Sequence, residues 1–96
     1  MKVEEVQEIK DAILAVHGVD SRHVSSVRVV ERFKGKIAWQ GTVEVFDLID
    51  HPKAKRAYGW MYRDNDKNMA TAVLEVPPVD SPQSAVKVAI ASKARK

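Results

Sequence analysis

The sequence predicts an α+β fold, with two helices flanking four strands in the order α-β-β-β-β-α. Three observations lead there. Apolar residues near both ends recur at helical spacing, and those between about 27 and 76 alternate as strands do. The links between the alternating runs are short, which implies an antiparallel meander. Two amphipathic helices need an apolar sheet face, so the expected architecture is a two-layer sandwich with both helices packed on one face. The 96 residues fit one domain spanning 1–96, with a helix at about 3–17, the sheet at about 27–76 and a helix at about 82–95.

The first helix is carried by "VEEVQEIKDAILAVH", where Val6, Ile9, Ile13 and Val16 form one stripe. Glu4, Glu5 and Glu8 suit the positive end of its dipole, and Gly18 is a natural stop. "VDSRHVSS" reads as a connector. The first strand is "VRVVERF" (27–33), with Val27, Val29 and Phe33 opposite Arg28, Val30 and Arg32. "KGK" then turns the chain at Gly35.

The second strand, "IAWQGTVEVFDLI" (37–49), places Ile37, Trp39, Val43 and Val45 on one face, but Phe46 and Leu48 fall on the other. Either the strand bends through a bulge, for which Gly41 is suited, or both faces of its second half are covered. A third strand at about 55–63 and a fourth at 69–76, "MATAVLEV", follow the links "DHPKA" and "DNDKN". Pro77 and Pro78 end the sheet, since neither donates to a ladder. Ser81 and Pro82 read as an N-cap followed by proline at the first helical position. The last helix turns Ala85, Val86, Ala89 and Ile90 inward and carries Lys93, Arg95 and Lys96 at its negative end.

Composition limits the chemistry. There are no cysteines, which excludes disulfides, thiolate metal sites and a cysteine nucleophile and suits a cytoplasmic location. "MKVEEVQEIK" has no apolar core, so no signal peptide is expected. No apolar run approaches the roughly 18 residues that a membrane span needs. His17, His23 and His51 are scattered, and Ser25 and Ser26 follow His23 without the glycines of a nucleophile elbow. Asp47, Asp50 and His51 match no strong metal spacing. Asp64, Asp66, Asn68 and Glu75 fall at calcium-loop positions, but Met69 stands where that loop needs glycine, so a polar turn is expected. The expectation is a protein without enzymatic activity, cofactor, metal or membrane association.

Two features point to binding. In "HPKAKRAYGWMYR" (51–63), Arg56, Tyr58, Trp60 and Tyr62 share a face opposite Lys55, Ala57, Gly59 and Met61. The aromatic row is expected to be core, with an exposed platform for stacking bases as the alternative. The loop "DHPKAKR" concentrates basic groups at a hairpin end, and Pro52 stiffens it. With 16 Lys and Arg against 13 Asp and Glu, the net charge of +3 is a mild excess, so position matters more than the total. His51, Lys53, Lys55, Arg56 and Tyr58 are therefore the candidate binding residues, facing the phosphates of a nucleic acid, RNA in particular. The tail "SKARK" is a further candidate for phosphate contact. The alternative is a protein-interaction or homodimerisation module, because Phe46 and Leu48 leave apolar surface to cover.

The string "WQGTVEVFDLIDHPKAKRAYGW" (39–60) resembles one found in small uncharacterised bacterial proteins, a likeness that implies no activity. The element order is similar to that of double-stranded-RNA-binding domains. Those have three strands and a lysine cluster opening the second helix. Here that helix opens with Ser81, Pro82, Gln83 and Ser84, and only Lys87 follows, so the resemblance implies a topology and no RNA-binding residues.

Overall fold

A computed structural model of the protein describes residues 3–94, with side chains throughout except at 64 and 92–94. The elements are α1 (Val3–His17), β1 (Ser21–Phe33), β2 (Lys36–Leu48), β3 (Arg56–Asp64), β4 (Lys67–Leu74) and α2 (Pro82–Ala94). The four strands form one antiparallel sheet in the order β1-β2-β3-β4. The α+β class and the meander are as the sequence predicts.

The two helices do not share a face. Ile9 and Ile13 of α1 are buried with Phe46 and Ala57, and Leu48, Met61, Ala70, Ala72 and Leu74 pack around them. Ala85 and Val86 of α2 are buried with Val29, Val43, Val45, Tyr58 and Trp60. Residues 57 and 58 are neighbours on one strand and point to opposite faces. The sheet is therefore the middle of three layers, and the expected two-layer arrangement is corrected. The cause lies in β2 and β3. Val43, Glu44, Val45 and Phe46 are consecutive and all buried, so both faces of β2 are covered there. On β3, Ala57 and Gly59 form a shallow face that admits a helix closely, and Tyr58 and Trp60 supply bulk on the other. Full burial of each Ile or Val contributes roughly 1.5–3 kcal/mol.

β1 starts at Ser21, so all but Val19 and Asp20 of the stretch read as a connector is strand. Apart from Val24 its side chains are polar, yet cross-strand partners fix it: Arg22 lies opposite Asp47 and His23 opposite Phe46. The register slips at Val24 and again at Ala38, where bulges form. Gly41 is not a bulge; the Trp39 ring lies over it instead. Val16 is 74% exposed and drops out of the α1 stripe.

Both tight hairpins use turns with two residues at positive φ: Lys34 and Gly35 (53° and 78°), then Asn65 and Asp66 (52° and 65°). This is the type I′ pattern that matches the strand twist. The second turn uses Asp66 as a turn residue, which disposes of the calcium-loop likeness. Gly18 ends α1 at φ 71°, its N–H donating to Leu14 O at 2.9 Å. α2 starts on Ser81, whose Oγ accepts from Ser84 N at 3.1 Å, while Ser84 Oγ accepts from Ser81 N at 2.9 Å. This reciprocal cap satisfies N–H groups that the first turn leaves without partners. Among the described residues no helix is long and apolar enough to cross a membrane.

Candidate functional site

The loop between β2 and β3 is held by its own histidine. His51 Nδ1 accepts hydrogen bonds from Lys53 N at 3.0 Å and Ala54 N at 2.9 Å. The ring thus acts as a backbone acceptor in a tight turn, with its proton on Nε2. Asp50 adopts a left-handed conformation, φ 60°, to enter this turn. Leu48 N donates to Lys55 O at 2.8 Å, and Ile49 N to Asp20 O at 3.0 Å. Ala54 is buried beneath the loop. Lys53 and Lys55 are exposed on this fixed frame.

The end of the sheet beside the loop carries a row of alternating charge. Arg22 on β1, Asp47 on β2 and Arg56 on β3 are successive register partners, and Glu75 N, just past β4, donates to Arg56 O. Asp47 accepts Arg22 at 3.2 Å on one carboxylate oxygen and Arg56 at 3.3 Å on the other. Arg22, Asp47, Leu48, Ile49, Lys55 and Arg56 line an open cleft of about 530 Å³. One carboxylate set against three cations leaves the cleft positive. Sequence reading missed Arg22, because its place in the cleft depends on pairing with a residue 25 positions away.

Tyr58 does not belong to this surface. It is 2% exposed, and its hydroxyl donates to Glu75. Burial, then the hydrogen bond and the nearby charge of Glu75, push its pKa well above the usual tyrosine value of 10.0. Trp60 is 5% exposed and meets Trp39 edge to face at 5.7 Å. Tyr58 and Trp60 are core and Tyr62 is half-buried against them, so the row is core or partly buried, as expected, and not an exposed stacking platform. Of the five candidate residues, Lys53, Lys55 and Arg56 reach the surface of the cleft end, His51 builds the loop, and Tyr58 is interior. Arg95, Lys96 and the side chain of Lys93 lie outside the described residues.

A second polar cluster went unseen in the sequence. Glu44 is buried on the α1 face, where its Oε1 meets His23 Nε2 at 2.8 Å and accepts from Ser26 Oγ. The bulge at Val24 brings both partners to this one oxygen, which no local motif would reveal. Because Ser26 directs its hydrogen to Glu44, the trio reads as satisfaction of a buried carboxylate. Among the described residues no three His, Asp or Glu side chains are grouped to hold a metal ion. Asp47 is engaged by arginines and His51 by backbone amides.

Compared with known proteins, the chain matches no protein-family model, no curated protein and no solved structure.

Proposed function

We propose that the protein is a non-catalytic module that binds the phosphate backbone of nucleic acid through the 51–56 end of its sheet. The observation that carries this reading is the convergence of Arg22, Lys55 and Arg56 on one open cleft, with Lys53 exposed beside it. The loop is fixed by His51, so its lysines are placed before a ligand arrives, and less ordering entropy is lost on binding. Guanidinium and ammonium groups suit phosphate oxygens. With Tyr58 and Trp60 buried, contact at this end of the sheet is to the backbone, and binding tolerates different base sequences. The residues lining the cleft include no histidine or hydroxyl that a nucleophilic mechanism would use, which favours binding over catalysis.

Fluorescence-anisotropy titrations with single- and double-stranded RNA and DNA at low salt test the reading. Binding that weakens in a Lys53→Ala/Lys55→Ala variant is the expected result. Absence of binding, or binding indifferent to that variant, would sink it.

A second reading, self-association, rests on β1. This strand lies at the sheet edge over 13 residues and exposes Val24 and Val30, as a strand open to pairing does. The surface that suggested self-association in the sequence is covered within the chain, because Phe46 packs under α1. Sedimentation equilibrium separates the cases, since a monomer at high concentration argues against this reading.

A further inference from the structure

The β1–β2 hairpin outruns the rest of the sheet. β2 pairs with β3 only from Glu44 to Asp47, so its first eight residues, 36–43, have no strand on that side. Residues 39–43 of this stretch still pack on the core, through Trp39 against Trp60 and through buried Val43, so the part that projects is the tip. α2 supports part of the hairpin: Gln83 Nε2 donates to Val30 O at 3.0 Å and also bonds Glu31. Beyond that brace, every residue from 32 to 38 is exposed. An isolated two-stranded ribbon is marginally stable in water, so an arm carrying apolar groups into solvent calls for a partner.

The chemistry of the arm identifies that partner. Arg28, Arg32, Lys34 and Lys36 are exposed, and the acid among them, Glu31, is engaged by Gln83. At the tip, Phe33 is 66% exposed and Ile37 47% exposed. Lys34 Nζ lies 5.4 Å from the Phe33 ring centre, so cation and wedge are presented together on a type I′ turn. A second copy of the chain would bring like charges together at such a tip, whereas a polyanion complements them.

We infer that the β1–β2 hairpin is an arm that enters a groove of double-stranded DNA, with Lys34 and Lys36 on the phosphates and Phe33, which shares its face of the ribbon with Lys36, as an apolar wedge against a base step. β-ribbon readers place strands in the major or the minor groove of DNA. Phe is among the side chains that unstack base steps and bend the duplex. A-form RNA offers a major groove too deep and narrow for the ribbon and a minor groove too wide and shallow to grip it. The inference extends the phosphate-binding reading to a second surface, at the opposite end of β2 from the 51–56 loop.

The test uses the full chain and a 20-base-pair DNA duplex labelled at both ends, reading affinity by anisotropy and end-to-end distance by energy transfer. The expected result is binding with a shortened distance. Phe33→Ser should bind without shortening the duplex. Lys34→Ala/Lys36→Ala should weaken binding and lower the salt slope by about 2. Circular dichroism establishes that these exposed substitutions leave the fold intact. Tip variants that bind and bend the duplex as the unaltered protein does would overturn the inference. So would a sedimentation shift to dimer that Phe33→Ser abolishes. If Lys53→Ala/Lys55→Ala has no effect while the tip variants do, the loop reading fails and the arm stands; the reverse pattern sinks the arm alone.

Discussion

Ile9 of α1 lies directly over Gly59 of β3, so near that a Cβ on Gly59 would overlap Ile9 Cγ2. The same Cβ would stand 3.0 Å from the Thr71 carbonyl oxygen, which is backbone and cannot yield. Glycine inside a strand ordinarily costs roughly 0.5–1 kcal/mol relative to alanine, so Gly59→Ala would otherwise be favourable. Here it should destabilise by about 1–3 kcal/mol through overpacking. Urea denaturation measures this, and adding Ile9→Ala should recover part of the Gly59→Ala effect relative to Ile9→Ala alone. A Gly59→Ala protein as stable as the parent would mean that α1 does not seat on β3.

Tyr58 gives a pH dependence of known sign. Its hydroxyl keeps its proton in the folded state above the pH, about 10, at which an unfolded tyrosine loses it. The stability this group contributes is complete below pH of about 10 and declines as pH rises toward the folded-state pKa. Tyr58→Phe should be less stable at neutral pH and should show a shallower loss on the alkaline side. Chemical denaturation at a series of alkaline pH values checks this; identical slopes in both proteins would contradict it.

Asp47 separates stability from binding. Its two arginine pairs are partly exposed, so Asp47→Asn should cost under about 1 kcal/mol. The same change frees Arg22 and Arg56 and should tighten nucleic-acid binding. A variant that binds more weakly while remaining folded would show that the cleft does not receive phosphate.

Glu44 is the acceptor for two side chains at once. Glu44→Leu removes that acceptor from His23 and Ser26 and should destabilise by about 1–3 kcal/mol. Glu44→Gln keeps an acceptor oxygen and should cost less. Thermal denaturation of the two variants orders them; equal costs would argue that the cluster is not held by hydrogen bonding.

The element order, the four strands, the serine cap of α2 and the burial of Tyr58 and Trp60 were legible, because each follows from local spacing or a short-range cap. The phase break at Phe46 and Leu48 carried the news that both faces of β2 are covered. The two-sided packing itself depended on where Ala57 and Gly59 meet Ile9, which is a long-range contact. The opening of β1 was illegible because residues 21–26 are polar apart from Val24 and become strand only through partners on β2. His51 and Arg56 looked like ligand contacts. Half of that expectation changed when the ring proved to hold its own loop, and Arg56 proved to share Asp47 with an arginine no local pattern could bring there.

The salt dependence of nucleic-acid binding tests the central claim most directly. Each phosphate neutralised adds nearly one unit to the slope of log K against log salt. The unaltered protein should show a clear negative slope, and Lys53→Ala/Lys55→Ala should make it shallower by about 2. A flat dependence, or a slope unchanged in that variant, would contradict binding through the 51–56 end of the sheet.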